Sequence, residues 1–196
     1  MDFVFDLLQG AGIAAAIGIR PFLPVLLVGA LAAYDLGIDF DGTDFAFLEQ
    51  APLLAVVVVL LATTTYLTRR SGPETLELPP WAYLLGTYTV VLGILYASGS
   101  MADGDFSIVP GIIAGTLCAY LGFATARDLF LRTRKRLDPE AGGALTLYAE
   151  GAGLLAAGAS VLFPPLAVLV IAGLLALLFG GRRRAGEKYA GLRILR

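Results

Sequence analysis

Six long apolar stretches, separated by short polar segments, dominate the amino-acid sequence. A helix needs about 20 mostly apolar residues to cross the hydrocarbon core of a bilayer, and the stretches approach or exceed that length. The pattern therefore predicts an all-α integral membrane protein with six transmembrane helices. We expect the helices over residues 10–33, 52–67, 80–97, 108–126, 142–163 and 165–180.

Only Pro164 and Pro165 separate the last two apolar stretches. One helix over residues 142–180 would be about 58 Å long, which is nearly twice the thickness of the hydrocarbon core. Because proline breaks a helix interior, we predict that the chain turns at this proline pair. The sixth stretch is short, so a re-entrant segment is the alternative to a complete crossing.

The composition is that of a membrane protein. Of the 196 residues, 58% are hydrophobic and only 15% are charged, whereas about a quarter of the residues of a typical soluble domain are charged. No stretch has the composition of a separate soluble domain. We therefore expect a single polytopic membrane domain over residues 1–196, located in the plasma membrane.

The distribution of charge predicts an orientation. Of the 14 lysines and arginines, Arg20 alone lies within a predicted helix, and the others follow the second, fourth and sixth helices. The loops of the opposite side, within 34–51 and 98–107, contain aspartate and glutamate but no lysine or arginine. Because positively charged residues remain in the cytoplasm, we predict that both termini are cytoplasmic.

Arg20 is the strongest candidate for a functional residue. An arginine at the centre of a membrane helix costs about 3 kcal/mol, so it requires a polar partner or water. Pro21 and Pro24 follow it, and each removes a backbone donor from the helix. A broken helix beside a buried cation is typical of anion and substrate sites in membrane proteins. The alternative is a structural arginine that ties the first helix to a neighbour.

Glu150, in the fifth predicted helix, is the expected partner of Arg20. Burying the two charges together costs far less than burying them separately, so we predict that they face one another directly or through water. Polar residues of other helices are candidates for lining the same substrate or ion site. They are Thr64, Tyr88, Tyr120 and Tyr148. For a threonine, the alternative is a hydrogen bond to its own helix backbone.

A basic cluster follows the fourth predicted helix, and we expect it to contact anionic lipid headgroups, at about 1 kcal/mol per charge. The cluster consists of Arg132, Arg134, Lys135 and Arg136. Membrane lipids are therefore expected partners. Topology already explains every basic residue, so we expect no nucleic-acid binding. Helix faces rich in glycine and alanine are compatible with a homo-oligomer.

Enzyme motifs are missing from the sequence. The chain has no histidine and one cysteine, Cys118, which removes the commonest metal ligand. It also has no phosphate-binding loop with the Gly-Lys-Ser signature and no Gly-x-Ser-x-Gly elbow. We therefore expect neither an enzyme nor a bound metal or cofactor.

Three segments resemble a family of prokaryotic membrane proteins known as domain of unknown function 4126. They are residues 12–24, residues 115–127 and residues 148–151. In the third segment the family tends to carry an acidic pair, and Gly151 replaces the second acid here. Residues 66–70 also depart from the family pattern. The resemblance implies a multi-pass membrane protein and brings no known activity.

These observations favour a small-solute transporter or channel with Arg20 and Glu150 at its polar centre. An anion or a proton-coupled substrate would suit a buried pair of this kind. The alternative hypothesis is a membrane protein that does not transport and serves lipid organisation or complex assembly. In that case the Arg20–Glu150 pair would be purely structural.

Overall fold

A computed structural model of the protein describes residues 2–72, 74–134 and 139–190. Side chains are described for these residues, with the exception of residue 2, residues 139–143 and residues 182–190. Within these ranges the chain is all-α, as predicted, with seven α-helices and two short 3-10 helices. The α-helices are α1 Asp2–Ile19, α2 Phe22–Ala32, α3 Ala51–Ser71, α4 Trp81–Asp103, α5 Val109–Arg134, α6 Pro139–Leu162 and α7 Leu166–Ala190. Pro164 and Pro165 lie in the turn between α6 and α7.

Four helices are long and apolar enough to cross a membrane, namely α3, α4, α5 and the part of α6 from Ala144 onward. The helices α1, α2 and the apolar part of α7 are shorter. Large apolar side chains cover the outside of the bundle, and Val57 is the only residue of α3 that is buried. Apolar surface of this extent suits a bilayer better than water, which supports a multi-pass membrane protein.

The first predicted helix, over residues 10–33, consists of two helices. α1 begins earlier than predicted, at Asp2, and ends at Ile19, and α2 begins at Phe22. In a continuous helix the N–H groups of residues 21 and 24 would donate to the carbonyls of Ile17 and Arg20. Both positions are proline, which has no N–H. The helical hydrogen bonds are therefore interrupted twice within four residues.

The chain also reverses its direction at this break. Near the start of α1, the ring of Phe3 packs edge-to-face against that of Phe106, with centroids 5.3 Å apart. Gln9, also in α1, donates a hydrogen bond from Nε2 to the carbonyl oxygen of Gly37 at 2.6 Å. Because Gly37 follows α2, the middle of α1 lies beside the end of α2, and the two helices run in opposite directions. The two helices are thus the arms of a helical hairpin, whose tip is Arg20–Pro21.

The hairpin places the start of α1 and the later part of α7 at opposite ends of the bundle. We call the end of the bundle with loops 34–50 and 104–108 the acidic end, and the end with Arg69 and Arg70 the basic end. The start of α1 lies at the acidic end, whereas α7 runs to the basic end, where Gly181 lies against Arg132. The prediction that both termini share one side assumed that residues 10–33 make a single crossing.

Close packing of small residues fixes the position of α1 against α5. A Cβ atom placed on Gly18 would lie 2.9 Å from the Cα atom of Gly122 and would overlap the carbonyl oxygen of Ala119. The backbones of the two helices are therefore in direct contact, as in many membrane helix pairs. α4 packs against both helices, which makes α1, α4 and α5 the centre of the bundle.

Candidate functional site: a buried ion cluster at the hairpin tip

Arg20 occupies the tip of the hairpin, and only 4% of its side chain is exposed. It follows the last residue of α1, where unpaired backbone carbonyls carry partial negative charge and favour a cation. Its Nη2 atom lies 3.4 Å from Oε1 of Glu77. The tip lies at the basic end of the bundle and not halfway across it, because the chain turns back at Arg20 instead of continuing.

Glu77 connects the hairpin tip to α5. It lies in the short 3-10 helix Thr75–Glu77 between α3 and α4, and its side chain is 4% exposed. Nη1 of Arg134, the last residue of α5, lies 2.9 Å from Oε2 of Glu77, in an ion pair without hydrogen-bond geometry. The Nε atom of Arg127 donates to the backbone oxygen of Glu77 at 3.1 Å. One carboxylate therefore contacts two buried guanidinium groups.

Phe130 supplies an apolar surface for the same two arginines. The guanidinium carbon of Arg20 lies 4.5 Å from the centre of the Phe130 ring, and that of Arg134 lies 5.5 Å from it. A cation over an aromatic face is attracted by the ring quadrupole, most strongly where water is excluded. The ring helps to keep the two like charges in one buried site.

Burial has the largest effect on the acid–base properties of Glu77. It raises the pKa of the Glu77 carboxyl above its ordinary value, while the guanidinium groups of Arg134 and Arg20 oppose that rise. Desolvation disfavours the charged form of a carboxyl group, and nearby cations favour it. The protonation of Glu77 is consequently coupled to its contacts with both arginines.

Glu150, the predicted partner of Arg20, is a second and more distant carboxylate. It attracts Arg20 electrostatically and interacts with the backbone N–H of Leu23. Leu23 lies in the first turn of α2, where N–H groups lack helical partners and favour an anion. Within the described part of the chain, the direct ion pair of Arg20 is with Glu77, and Oε2 of Glu150 is buried without a hydrogen-bond partner.

A small cavity adjoins the cluster. Its volume is about 20 Å³, and it is lined by the hairpin tip, by Glu77 and by the side chains of Phe123 and Arg127 on α5. This volume is enough for about one water molecule. The Nε atom of Arg20 is buried and has no partner among the described residues. The cluster thus leaves room for little more than one water molecule and contains unsatisfied polar atoms.

Three of the other predicted binding residues do not reach the cluster. The hydroxyl of Thr64 donates to the carbonyl of Leu60 in its own helix at 2.8 Å. This is the hydrogen bond to the helix backbone that was the alternative to a binding role for threonine. Tyr120 and Tyr148 point outward, with exposures of 63% and 77%. Sequence position alone does not distinguish the inner from the outer face of a helix that is apolar all round.

Tyr88 does lie near the break in the first helix. Its ring packs against Phe22, the first residue of α2, with centroids 5.9 Å apart. Its hydroxyl oxygen is buried and lacks a partner within the part of the chain that the structure describes. Tyr88 therefore adds another unsatisfied polar group near the hairpin tip, beside those of Arg20, Arg134 and Glu150.

The predicted lipid-headgroup cluster is divided in the structure. The side chain of Arg134 is only 8% exposed and belongs to the ion cluster, because Glu77 draws it inward. Its Nη2 atom also donates to the hydroxyl of Thr146 on α6 at 2.8 Å. Arg132 is partly exposed and pairs with Asp128 at 2.8 Å. Lys135 and Arg136 lie outside the described residues.

Glu77 and Phe130 are two residues of the cluster that the sequence pattern does not indicate. Glu77 falls between apolar stretches, in a segment that reads as a solvated loop. Its leucine neighbours, Leu76 and Leu78, are the one local signal that this loop folds onto the bundle, and Leu76 is indeed buried. The chain matches no family model, no curated protein and no solved structure, so the resemblance to domain of unknown function 4126 stays a prediction.

Proposed function

We propose that the protein transports or conducts a small solute across a membrane, with the hairpin tip and its ion cluster as the polar centre. The observation that supports this proposal is the convergence of a broken helix with buried, unpaired polar atoms of Arg20, Glu150 and Tyr88. Buried polar groups normally have partners. Several unpaired groups beside a helix break favour a site where a solute or a proton passes.

The helix break supplies charges of both signs at one point. The carbonyl end of α1 carries partial negative charge, which the cation Arg20 complements. The amide end of α2 carries partial positive charge, which the anion Glu150 complements. Discontinuous helices form the substrate and ion sites of many transporters in this way. Arg20, Arg134, Glu77 and Glu150 together carry balanced formal charge, so an entering ion would have to displace one of their contacts.

The chemistry of the cluster favours a small anion or a proton-coupled substrate. Arg20 and Arg134 are the anion-binding groups, and Glu77 and Glu150 are carboxylates that can exchange a proton. Because the cavity beside Arg20 has a volume of only about 20 Å³, the proposed path is closed in this conformation. Opening it requires a shift of the hairpin tip away from Glu77.

The charge distribution supports one orientation for this transporter. Basic residues remain cytoplasmic, so we propose that the basic end faces the cytoplasm and that the start of α1 faces outside. The plasma membrane is the proposed location. The hairpin would then enter from the outside and place its tip near the cytoplasmic end of the bundle, where the ion cluster closes it.

A structural role is the second candidate, and the small cavity favours it. A closely packed cluster of arginines and carboxylates would fix α1, α5 and the segment before α4 relative to one another. The protein would then serve lipid organisation or complex assembly without passing any solute. The two candidates differ in whether the purified protein makes vesicles permeable.

A flux measurement on purified protein distinguishes the candidates. Proton and chloride fluxes would be measured in vesicles of phosphatidylcholine and phosphatidylglycerol for wild type, Arg20→Gln and the control Arg132→Gln, which lies outside the cluster. We expect wild-type flux above that of empty vesicles, a decrease of about tenfold or more for Arg20→Gln, and little change for Arg132→Gln. Folded wild-type protein without flux of either ion would favour the structural role.

A further inference from the structure

An outward-facing groove runs along α4 and α5. It has a volume of about 350 Å³ and an apolar lining, with Tyr83 and Tyr120 exposed at its sides. A Cβ atom added to Gly86 would lie 2.9 Å from the ring of Phe123, so these two residues pack together within the groove. The volume lies in the range of small-molecule sites.

The length and position of this groove match one leaflet of a bilayer. Its lining on α4 extends from Ala82, near the basic end, to Val91. Nine helical steps correspond to about 14 Å, and half of the hydrocarbon core is about 15 Å thick. Trp81 precedes Ala82 and is 42% exposed, a position typical of aromatic residues at the membrane interface. The groove therefore has the dimensions of a site for a lipid chain.

A positive charge lies just beyond the lining of the groove, on the side of the basic end. Arg127 is one helical turn beyond Phe123, so the two residues share a face of α5. Its Nε atom is held by the backbone oxygen of Glu77. Among the described residues no acceptor contacts its two terminal nitrogens, which leaves them available to a phosphate group. Arginine recognises phosphate through paired N–H donors.

We propose that this groove binds one acyl chain of an anionic phospholipid, with the lipid phosphate paired to Arg127. The apolar lining holds the chain, and the guanidinium selects a headgroup that carries net negative charge. The groove lies on the outer face of the bundle and borders the ion cluster, because Phe123 lines both the groove and the small cavity. Arg127 also holds the backbone of Glu77.

The only tryptophan, Trp81, provides a direct readout. Its fluorescence would be measured in phosphatidylcholine vesicles that contain a spin-labelled lipid, with the quenching label near the start of the acyl chain. The labelled lipid would be phosphatidylglycerol in one series and phosphatidylcholine in the other. We expect the labelled anionic lipid to quench Trp81 at a mole fraction about fivefold lower than the labelled zwitterionic lipid. Arg127→Gln should remove this preference, and the control Arg69→Gln, an exposed arginine of the same end, should retain it.

A second variant tests the groove itself without changing its charge. Val90→Phe introduces a larger side chain into the groove and should reduce quenching by both labelled lipids, whereas Val59→Phe, on the exposed face of α3, should not. Equal quenching of wild type by the two lipids would overturn the proposal. A preference for the anionic lipid that survives Arg127→Gln would also overturn it. So would protection of Trp81 from both labelled lipids by a second copy of the chain that covers the groove.

Discussion

Glu77 is the residue on which the buried cluster depends, because it is the carboxylate that contacts both Arg20 and Arg134. Sequence reasoning identified Arg20 from its cost in a membrane and Glu150 from its depth in an apolar stretch. It could not identify Glu77, because the burial of a loop residue is decided by how the loop folds onto the helices. The same limit applies to Arg134, whose inward position follows from that of Glu77.

Replacing Glu77 by glutamine should destabilise the protein severely. Removing one partner of a buried ion pair costs about 3–5 kcal/mol, because the remaining charge stays buried, and here two guanidinium groups would remain. Thermal unfolding of Glu77→Gln in detergent would measure the loss. Asp128→Asn is the matched control, because it removes an exposed ion pair with Arg132 that is worth about 0–1 kcal/mol. Equal unfolding temperatures for the two variants would contradict a stabilising role for the cluster.

The helices themselves were largely predictable from the sequence, and the hairpin was not. Apolar stretches indicated where most helices lie, and Pro21 and Pro24 indicated the break. A proline break has the same local signature whether the chain continues or turns back. The choice is made by distant contacts, such as the hydrogen bond between Gln9 and Gly37. Asp2 and the lack of basic residues before Arg20 are the local signal that places the start of α1 at the acidic end.

Packing between α1 and α5 gives a prediction for two glycines. Gly18→Ala should destabilise the protein by about 1–3 kcal/mol, because the added methyl group overlaps the backbone of α5 and has no space to move into. Gly151→Ala, in α6, meets no atom within 4 Å and should be neutral or slightly stabilising, since alanine favours a helix more than glycine does. Unfolding temperatures in detergent would compare them. If the two variants behave alike, α1 and α5 do not approach as closely as described.

At the scale of the whole molecule, the hairpin divides the bundle into two chemically distinct ends. The start of α1, loop 34–50 and loop 104–108 share the acidic end, and the described arginines, Arg20 at the hairpin tip among them, lie toward the basic end. This arrangement keeps the segregation of charge found in the sequence and places the start of α1 and the later part of α7 at opposite ends of the bundle. The buried cluster, the small cavity beside it and the groove proposed to bind lipid all lie toward the basic end.

Cysteine accessibility is the most direct test of the hairpin. In a Cys118→Ala background, Asp2→Cys, Asp44→Cys and Arg70→Cys would each be treated in intact cells with a maleimide that does not cross membranes, and again after permeabilisation. The hairpin predicts that Asp2→Cys behaves like Asp44→Cys and unlike Arg70→Cys, whichever end faces outside. If Asp2→Cys instead behaves like Arg70→Cys, residues 10–33 cross the membrane once and the hairpin is contradicted.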